Sequence, residues 1–311
     1  MTRACPLSCD HCRADAQHRR HPDELSTAEG IELIRGVAEA GVKVFVITGG
    51  DPLTRGDVYD LVAASAEAGM HTGFSPSGTP RLNRDALERA QAAGAATVHL
   101  SLDGASAETH DRFRGVTGTF ERTITALENC VDLGIRVQVG TSVTRETVRE
   151  LPAVAELLDG LVDLWSLFFL VPTGRGQIEQ MLDAEGHESA MHWLATTEFP
   201  FAVRTIAGPT YRRVLAQMGR PVAPGVNDGD GICFVSHTGE VCPSGFLQLP
   251  VGNVRDRPLI EWYREAPLFQ ALRDRGRLTG KCGTCGFREL CGGSRARAWA
   301  MTGDPLASDP T

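Results

Sequence analysis

The sequence predicts an α/β protein: a partial (β/α)6 barrel of the TIM type, followed by a small cysteine-rich C-terminal extension. Three observations predict this fold class. Short β-rich runs alternate with amphipathic helical stretches between residues 26 and 171, this alternation stops near Thr173, and five of the nine cysteines lie beyond residue 230. Strands that alternate with helices favour a parallel sheet covered by helices, with functional groups at the carboxyl ends of the strands.

The elements follow one another along the chain. Ser26 and Glu29 form a capping box that begins the first helix, and Gly41 ends this helix. Strands are expected near 43–48, 70–75, 97–102, 136–143 and 164–171. Helices are expected near 57–68, 85–93, 148–158, 185–196 and 210–218, with another helix that ends near 133.

A segment rich in proline, glycine and aspartate, 221–231, is typical of a linker. It divides the chain into a barrel at 1–220 and an extension at 232–311. In the extension we expect the cysteines to lie on short strands and turns.

Composition and charge exclude some classes of protein. The 311-residue chain is 42% hydrophobic and 23% charged, as is typical of a globular protein. A formal net charge of -8 without a long basic run argues against a nucleic-acid partner. Because there is no signal peptide and no apolar run long enough to cross a bilayer, we expect a cytoplasmic protein without a membrane partner.

The cysteines form two groups, which indicates metal binding because disulfides are rare in a reducing compartment. Cys5, Cys9 and Cys12 have the spacing C-x3-C-x2-C, one ligand short of a closed zinc or iron–sulfur site. Cys130 stands alone on a predicted helix and is expected to be a small buried hydrophobic residue. The second group consists of Cys233, Cys242, Cys282, Cys285 and Cys291.

Small and hydroxyl-bearing residues follow four of the predicted strands. They lie at 49–52 (GGDP), 75–78 (SPSG), 101–104 (SLDG) and 141–142 (TS). Such residues let a ligand approach the backbone and offer it hydrogen bonds, although any one of these segments also suits an ordinary turn. Four of them on one edge of the sheet favour a ligand site.

The first cysteine group and the GGDP segment together resemble the radical S-adenosylmethionine (SAM) enzymes. That resemblance implies a [4Fe-4S] cluster held by Cys5, Cys9 and Cys12, with SAM bound at the open fourth iron. The residues that it assigns to SAM are His11 beside the adenine, Gly49, Gly50, Asp51 and Pro52 at the methionine amino group, and Ser77, Ser101 and Asp103 at the methionine or ribose.

The C-terminal cysteines resemble the SPASM-type extension of the same superfamily. Cys282, Cys285 and Cys291 are spaced C-x2-C-x5-C, which implies one auxiliary iron–sulfur cluster. Its fourth ligand is Cys233, Cys242 or a cysteine outside the chain. Ser294 and Ser244 stand where the resemblance places further cysteines, and a structural zinc knuckle is the alternative for this group.

The resemblance implies an oxidoreductase that cleaves SAM to a 5′-deoxyadenosyl radical and abstracts hydrogen from a substrate, with flavodoxin or ferredoxin as reductant. The substrate it favours is a tetrapyrrole side chain. The alternatives are modification of a peptide or a small natural-product precursor, by decarboxylation or C–C bond formation, and a non-catalytic, zinc-stabilised binding protein.

The resemblance also predicts that the first barrel strand is missing. Related enzymes have a strand directly before the cysteine loop, and only four residues precede Cys5. We therefore expect an unpaired strand edge on that side of the sheet.

Overall fold

The computed structural model describes residues 1–223 and 225–311. At its centre is a curled sheet of six strands, each hydrogen-bonded in parallel to the next along the chain. This arrangement confirms the predicted partial barrel. The strands are β1 (Val44–Ile47), β2 (His71–Phe74), β3 (Thr97–Ser101), β4 (Val137–Val143), β5 (Leu164–Phe169) and β6 (Ala202–Ile206).

Helices follow the strands and cover one face of the sheet. The first helix has the predicted capping box, in which Ser26 N donates to Glu29 Oε2 (2.7 Å) and Glu29 N donates to Ser26 Oγ (3.3 Å). The helices are α1 (Thr27–Glu39), α2 (Val58–Glu67), α3 (Arg84–Ala92), α4 (Ala107–Arg114), α5 (Thr119–Asp132), α6 (Leu151–Leu157), α7 (Ala184–Thr196) and α8 (Thr210–Gln217).

The two faces of the sheet differ in polarity because successive strand residues point to opposite sides. The side chains that face the helices, such as those of Phe74, Leu100 and Trp165, are buried and form the core. The concave face carries several small or polar residues, which line the middle of the lumen. Among them are Gly73, His99, Gln138, Gly140, Ser166 and Arg204.

Two barrel elements were not predicted from the sequence. β6 has only five residues and a central arginine, and it is held by pairing with β5 from Ala202 to Ile206. α4 lies in a charged segment, where Ser106 caps its start by accepting a hydrogen bond from Thr109 N and Gly115 ends it in the left-handed conformation. Both elements depend on tertiary pairing or on caps more than on hydrophobic periodicity.

The extension contains more helix than expected, so the prediction of short strands and turns is wrong in part. Pro267 at the start of one helix and Ser294 at the cap of another are the local signals for helices here. The elements are β7 (Asn227–Asp228), β8 (Gly231–Ile232), β9 (Phe234–Val235), β10 (Glu240–Cys242), β11 (Gly252–Asn253), α9 (Leu259–Glu265), α10 (Pro267–Arg273), α11 (Gly280–Thr284) and α12 (Arg295–Thr302).

The hydrophobic core runs from the barrel into the extension. Val241, Leu259 and Phe269 belong to the same buried cluster as the residues between sheet and helices. The domain boundary at 221–231 therefore stays a prediction.

β1 is at one end of the strand order of the described sheet, and the absence of a preceding barrel strand stays a prediction. Val44 and Val46 on this strand are 56% and 41% exposed. Residues 1–4 run beside the end of β1, where Met1 N donates to Thr48 O (3.0 Å). Within the described residues, the helices lack the combination of length and apolar character needed to cross a membrane.

Candidate active site

The three cysteines near the start of the chain lie together on one loop. Cys5 and Cys9 are buried in a small apolar cluster, against which Cys12 packs. Each sulfur accepts an N–H hydrogen bond, an interaction that tunes metal-bound thiolates. The bonds run from Leu7 N to Cys5 Sγ (3.4 Å), from Arg114 Nη1 to Cys9 Sγ (3.9 Å) and from Ala16 N to Cys12 Sγ (3.4 Å).

The chemistry of these thiols fits a cluster. Burial raises the pKa of Cys5 to about 11 and also raises the pKa of Cys9, so both stay protonated at neutral pH unless a metal ionises them. Within the described residues, no three His, Cys, Asp or Glu side chains converge closely enough to hold a single metal ion. Three thiols on one loop, each with an N–H donor, are a donor set that suits an iron–sulfur cluster.

The loop after β5 holds the cysteine loop in place. Arg175 donates from its backbone N to Cys12 O (3.0 Å), from Nε to Cys9 O (2.9 Å) and from Nη1 to Ala16 O (3.0 Å). Gly174 has a φ of 62°, and a Cβ at this position would lie 2.3 Å from Cys12 O. These contacts of Gly174 and Arg175 form a clamp on the cysteine loop. Sequence reasoning missed the clamp, because nothing in the local sequence at 173–176 (TGRG) indicates contact with a loop so distant in the chain.

Gly174→Ala is expected to reduce the iron retained after anaerobic reconstitution to roughly half of the wild-type content or less. The added methyl group must displace the backbone of the cysteine loop. Gly134→Ala is the matched control, because Gly134 has a φ of 66° and nothing within 4 Å of the added Cβ. Both variants carry about 1–2 kcal/mol of left-handed backbone strain, so equal iron loss in both would contradict the clamp.

The GGDP segment after β1 lies against the residues that precede Cys5. Gly50 N donates to Thr2 O (2.7 Å), and Asp51 N donates to Ala4 O (2.7 Å). A Cβ on Gly49 would lie 2.6 Å from Thr2 O, and one on Gly50 would lie 2.5 Å from Ala4 O. Glycine is required at both positions because the two backbones approach so closely.

The second predicted strand end, at 75–78, also lies against the GGDP segment and Cys5. Ser77 Oγ donates to Gly50 O (3.0 Å) and lies 3.9 Å from Cys5 Sγ. Pro52 is buried at the start of the 3₁₀ turn Pro52–Thr54. Ser101 ends β3, and its hydroxyl makes no hydrogen bond to the described residues, so its contact with SAM stays a prediction.

Asp51 is a fully buried carboxylate that forms no salt bridge within the described part of the chain, although the charge of Arg81 acts to lower its pKa. Its Oδ1 accepts from Leu53 N (3.2 Å) and Ser77 N (3.3 Å), and its Oδ2 accepts from Thr79 Oγ1 (3.0 Å). Burial nevertheless raises the pKa of Asp51. A carboxylate in this state favours a ligand that brings positive charge, such as an ammonium group.

Asp103 is fully buried and pairs with Arg114, the residue that also donates to Cys9. Its Oδ1 accepts from Ser142 N (2.7 Å). Burial acts to raise the pKa of Asp103, but the Arg114 guanidinium outweighs it and the pKa is lowered. These partners favour a supporting role behind Cys9 over the predicted contact with SAM.

His110 makes the fold sensitive to acid. Its Nδ1 accepts the N–H of Asp103 (3.0 Å), and burial together with Arg114 lowers its pKa to about 4. Because the unfolded chain binds this proton near pH 6.5, the free energy of unfolding should decrease as the pH falls from about 6.5 to about 4, by up to about 3 kcal/mol from this residue.

His110→Asn keeps an acceptor at the same place but does not titrate. Urea unfolding at each pH is therefore expected to show a shallower loss of stability in the variant. The same slope in both proteins would contradict the role of His110.

His11 lies flat on Phe113, with ring centroids 4.1 Å apart and an interplanar angle of 13°. Its Nδ1 is buried without a partner among the described residues, and burial lowers its pKa to about 3. A neutral imidazole with an unused nitrogen, next to Cys12 in the chain, suits the predicted adenine contact, which stays a prediction.

The C-terminal cysteines lie around α11 and the turn before α12. Cys282 Sγ accepts from Asp309 N (3.4 Å) and Arg295 Nη2 (3.7 Å), and Cys285 Sγ accepts from Phe287 N (3.4 Å). Burial raises the pKa of Cys291, with a further contribution from Cys282. The sulfurs of Cys282 and Cys285 therefore accept N–H hydrogen bonds, as the sulfurs of the first cysteine loop do.

Cys233 and Cys242 lie on or beside the small antiparallel sheet of the extension. Cys242 in β10 pairs with Phe234, the neighbour of Cys233. Burial raises the pKa of Cys233 to about 11 and that of Cys242 to about 12, with Glu240 adding to the second shift. The fourth ligand of the auxiliary cluster, Cys233, Cys242 or a cysteine outside the chain, stays a prediction.

Two serines stand where the resemblance places cysteines, and each has a structural partner. Ser294 Oγ caps α12 by accepting from Arg297 N (3.2 Å). Ser244 Oγ accepts from Phe246 N (3.1 Å) and Leu247 N (2.9 Å), which shapes the turn that presents Phe246.

Three cysteine thiols thus lie on one loop, joined to a glycine-rich strand end of a half-barrel. The radical SAM superfamily model matches residues 1–158. The chain is 37% identical to the AdoMet-dependent heme synthase of Nitratidesulfovibrio vulgaris, over 100% of this chain and 89% of that protein. It is 32% identical to the mycofactocin maturase of Mycobacterium ulcerans, over 98% of this chain and 84% of that protein.

The chain belongs to the radical SAM superfamily and is an enzyme, which sets aside the non-catalytic zinc protein. The family implies a [4Fe-4S] cluster and SAM as cofactors. The fold is also that of Streptococcus suis SuiB bound to S-adenosylmethionine, with a TM-score of 0.77 and 17% identity over 98% of this chain and 74% of that chain.

Proposed function

We propose that this enzyme abstracts hydrogen from a side chain of an iron tetrapyrrole. The observation that carries this proposal is the 37% identity to a heme synthase over the whole chain. A second heme synthase, that of Methanosarcina barkeri, is 35% identical and also matches 100% of the chain.

Different residues of the chain would bind the [4Fe-4S] cluster and SAM. When bound, the [4Fe-4S] cluster supplies the single electron that cleaves SAM to the 5′-deoxyadenosyl radical. Asp51 and the carbonyl of Gly50 offer negative charge and an acceptor to the methionine ammonium, and Ser77 fixes that carbonyl. The residues that would hold the cluster are Cys5, Cys9 and Cys12.

The extension at 232–311 would hold one auxiliary iron–sulfur cluster on Cys282, Cys285 and Cys291. The N–H donors at Cys282 and Cys285 suit metal-bound thiolates, and a structural zinc knuckle is the alternative for this group. A flavodoxin or ferredoxin would supply the electrons.

The test is anaerobic turnover of the reconstituted enzyme with SAM, dithionite and Fe-coproporphyrin III, an iron porphyrin with propionate side chains. We expect Fe-coproporphyrin III to be consumed and 5′-deoxyadenosine to form. Less 5′-deoxyadenosine is expected with iron octaethylporphyrin, which lacks propionates. Unchanged Fe-coproporphyrin III and no stimulation of SAM cleavage would overturn the proposal.

Modification of a peptide or small precursor, by decarboxylation or C–C bond formation, is the second candidate. It is supported by the 32% identity to the mycofactocin maturase over 98% of the chain. The heme synthases match more of the chain at higher identity, so the tetrapyrrole substrate is preferred.

A further inference from the structure

Arg204 is a cation without an acidic partner inside the barrel. It lies in the middle of β6 on the concave face, where Nε donates to Ser166 Oγ (2.8 Å) and Nη2 donates to Gln138 Oε1 (2.9 Å). Both acceptors are neutral. In the described part of the chain, Nη1 makes no hydrogen bond and no Asp or Glu forms an ion pair with Arg204.

The wall that faces Arg204 also lacks acids. Along β1 to β5, the residues that alternate onto the concave face are aliphatic, aromatic, hydroxyl-bearing, amide, histidine or glycine. They are Val44, Val46, His71, Gly73, Thr97, His99, Ser101, Gln138, Gly140, Ser142, Leu164, Ser166 and Phe168. Arg204 is therefore not neutralised by an acidic side chain of the strand wall, although the chain has a net charge of -8.

His99 adds no positive charge to this wall at neutral pH. Burial, with Arg204 and His71, lowers its pKa to about 4, so the ring is neutral at pH 7. Its Nε2 lies 3.2 Å from Thr97 Oγ1. Arg204 thus provides the fixed charge of this wall.

The Arg204 guanidinium is fixed by hydrogen bonds and is accessible to solvent. Arg204 is accessible to water, yet the protein around it is close enough that burial lowers its pKa. Two hydrogen bonds fix its plane, which reduces the entropy cost of binding a second planar group. A carboxylate can then bind the free Nη1 edge by displacing water, without breaking an ion pair within the described residues.

An aromatic surface lies between Arg204 and the cysteine loop. Phe168 follows Ser166 by two residues on the same face of β5, and its ring centroid lies 6.2 Å from that of Phe246, which the extension supplies. Arg13, next to Cys12, has its Cζ 5.8 Å from the Phe246 ring. At about 3.3 Å per residue, the end of β5 is about 10 Å from Ser166.

We infer that Arg204 anchors a carboxylate of the substrate in the barrel lumen, while a flat apolar part of the same substrate lies against Phe168 and Phe246, nearer the cysteine loop. Charge and shape both select this ligand, because a guanidinium fork pairs with a carboxylate and aromatic rings stack on a flat surface. Only the assignment of the anchored group to a tetrapyrrole propionate rests on the proposed function.

The test compares 1-pyrenebutyrate with the neutral 1-pyrenebutanol, by fluorescence titration of the reconstituted enzyme. We expect Arg204→Gln to weaken pyrenebutyrate binding about 10- to 100-fold and to leave pyrenebutanol binding unchanged. Arg204→Lys is expected to recover part of the loss because it keeps the charge without the fork. Arg84→Gln, which alters an arginine exposed on α3, serves as the control variant, and iron content per chain verifies that each protein is folded.

Equal binding of pyrenebutyrate to the wild type and Arg204→Gln would overturn the subsite, as would an equal loss for the neutral probe. These outcomes do not depend on turnover of an iron porphyrin. Pyrenebutyrate binding that requires Arg204, combined with no reaction of Fe-coproporphyrin III, would refute the proposed function and leave the carboxylate subsite in place.

Discussion

Cys9→Ala is expected to lower the formation of 5′-deoxyadenosine by about 10³-fold or more, equivalent to about 4 kcal/mol of lost transition-state stabilisation. The variant removes one of three sulfurs that share a buried loop, and with it the acceptor of the Arg114 hydrogen bond. Cys5→Ala and Cys12→Ala should have the same effect. The measurement is 5′-deoxyadenosine per chain after anaerobic reconstitution, alongside iron content.

Cys130→Ala is the matched control. Cys130 is also fully buried, and burial raises its pKa to about 12, but it packs among core residues as a small hydrophobic side chain. We expect this variant to keep its iron and its SAM cleavage. Full activity in Cys9→Ala, or the same loss in Cys130→Ala, would refute the assignment of the cluster ligands.

Arg297→Met is expected to destabilise the fold by about 3–5 kcal/mol, because it breaks a buried ion pair and leaves one partner behind. Arg297 and Asp309 form this pair with bidentate geometry, with Nε to Oδ1 at 2.8 Å and Nη2 to Oδ2 at 2.9 Å. Burial acts to raise the pKa of Asp309, but Arg297 lowers it, so removing the arginine leaves a buried charge unpaired. Urea unfolding measures the loss.

Two further variants test whether the loss of stability in Arg297→Met comes from the buried ion pair. Arg297→Met combined with Asp309→Leu should recover part of the stability, because no buried charge remains. Arg288→Met, which breaks an exposed pair with Glu289, should cost less than about 1 kcal/mol. A loss in Arg297→Met no larger than in Arg288→Met would contradict the importance of the buried pair.

Local patterns in the sequence predicted most of the barrel. The strand at 43–48 was visible because its β-rich residues lie between a glycine-terminated helix and GGDP. β6 was not visible, because its conformation depends on pairing with β5 and its centre is Arg204. The helices of the extension were missed since short segments with few apolar residues give weak periodicity.

Some residues of the candidate site could be predicted from the sequence and others could not. Spacing predicted that Cys5, Cys9 and Cys12 form one site, and the resemblance added Gly50, Asp51 and Ser77, which do lie beside Cys5. Arg114 and Arg175 could not be predicted, because each reaches the cysteine loop only through the fold. Asp103 was singled out by its place at a strand end; it forms an ion pair with Arg114, and its contact with SAM stays a prediction.

The central claim is that the cysteine loop and GGDP form one site for a [4Fe-4S] cluster and SAM. Its most direct test is the product formed when the anaerobically reconstituted wild-type enzyme is mixed with SAM and dithionite, with metal content measured on the same sample. We predict about four or more iron atoms per chain and formation of 5′-deoxyadenosine. Bound zinc in place of iron, with no 5′-deoxyadenosine, would contradict the claim.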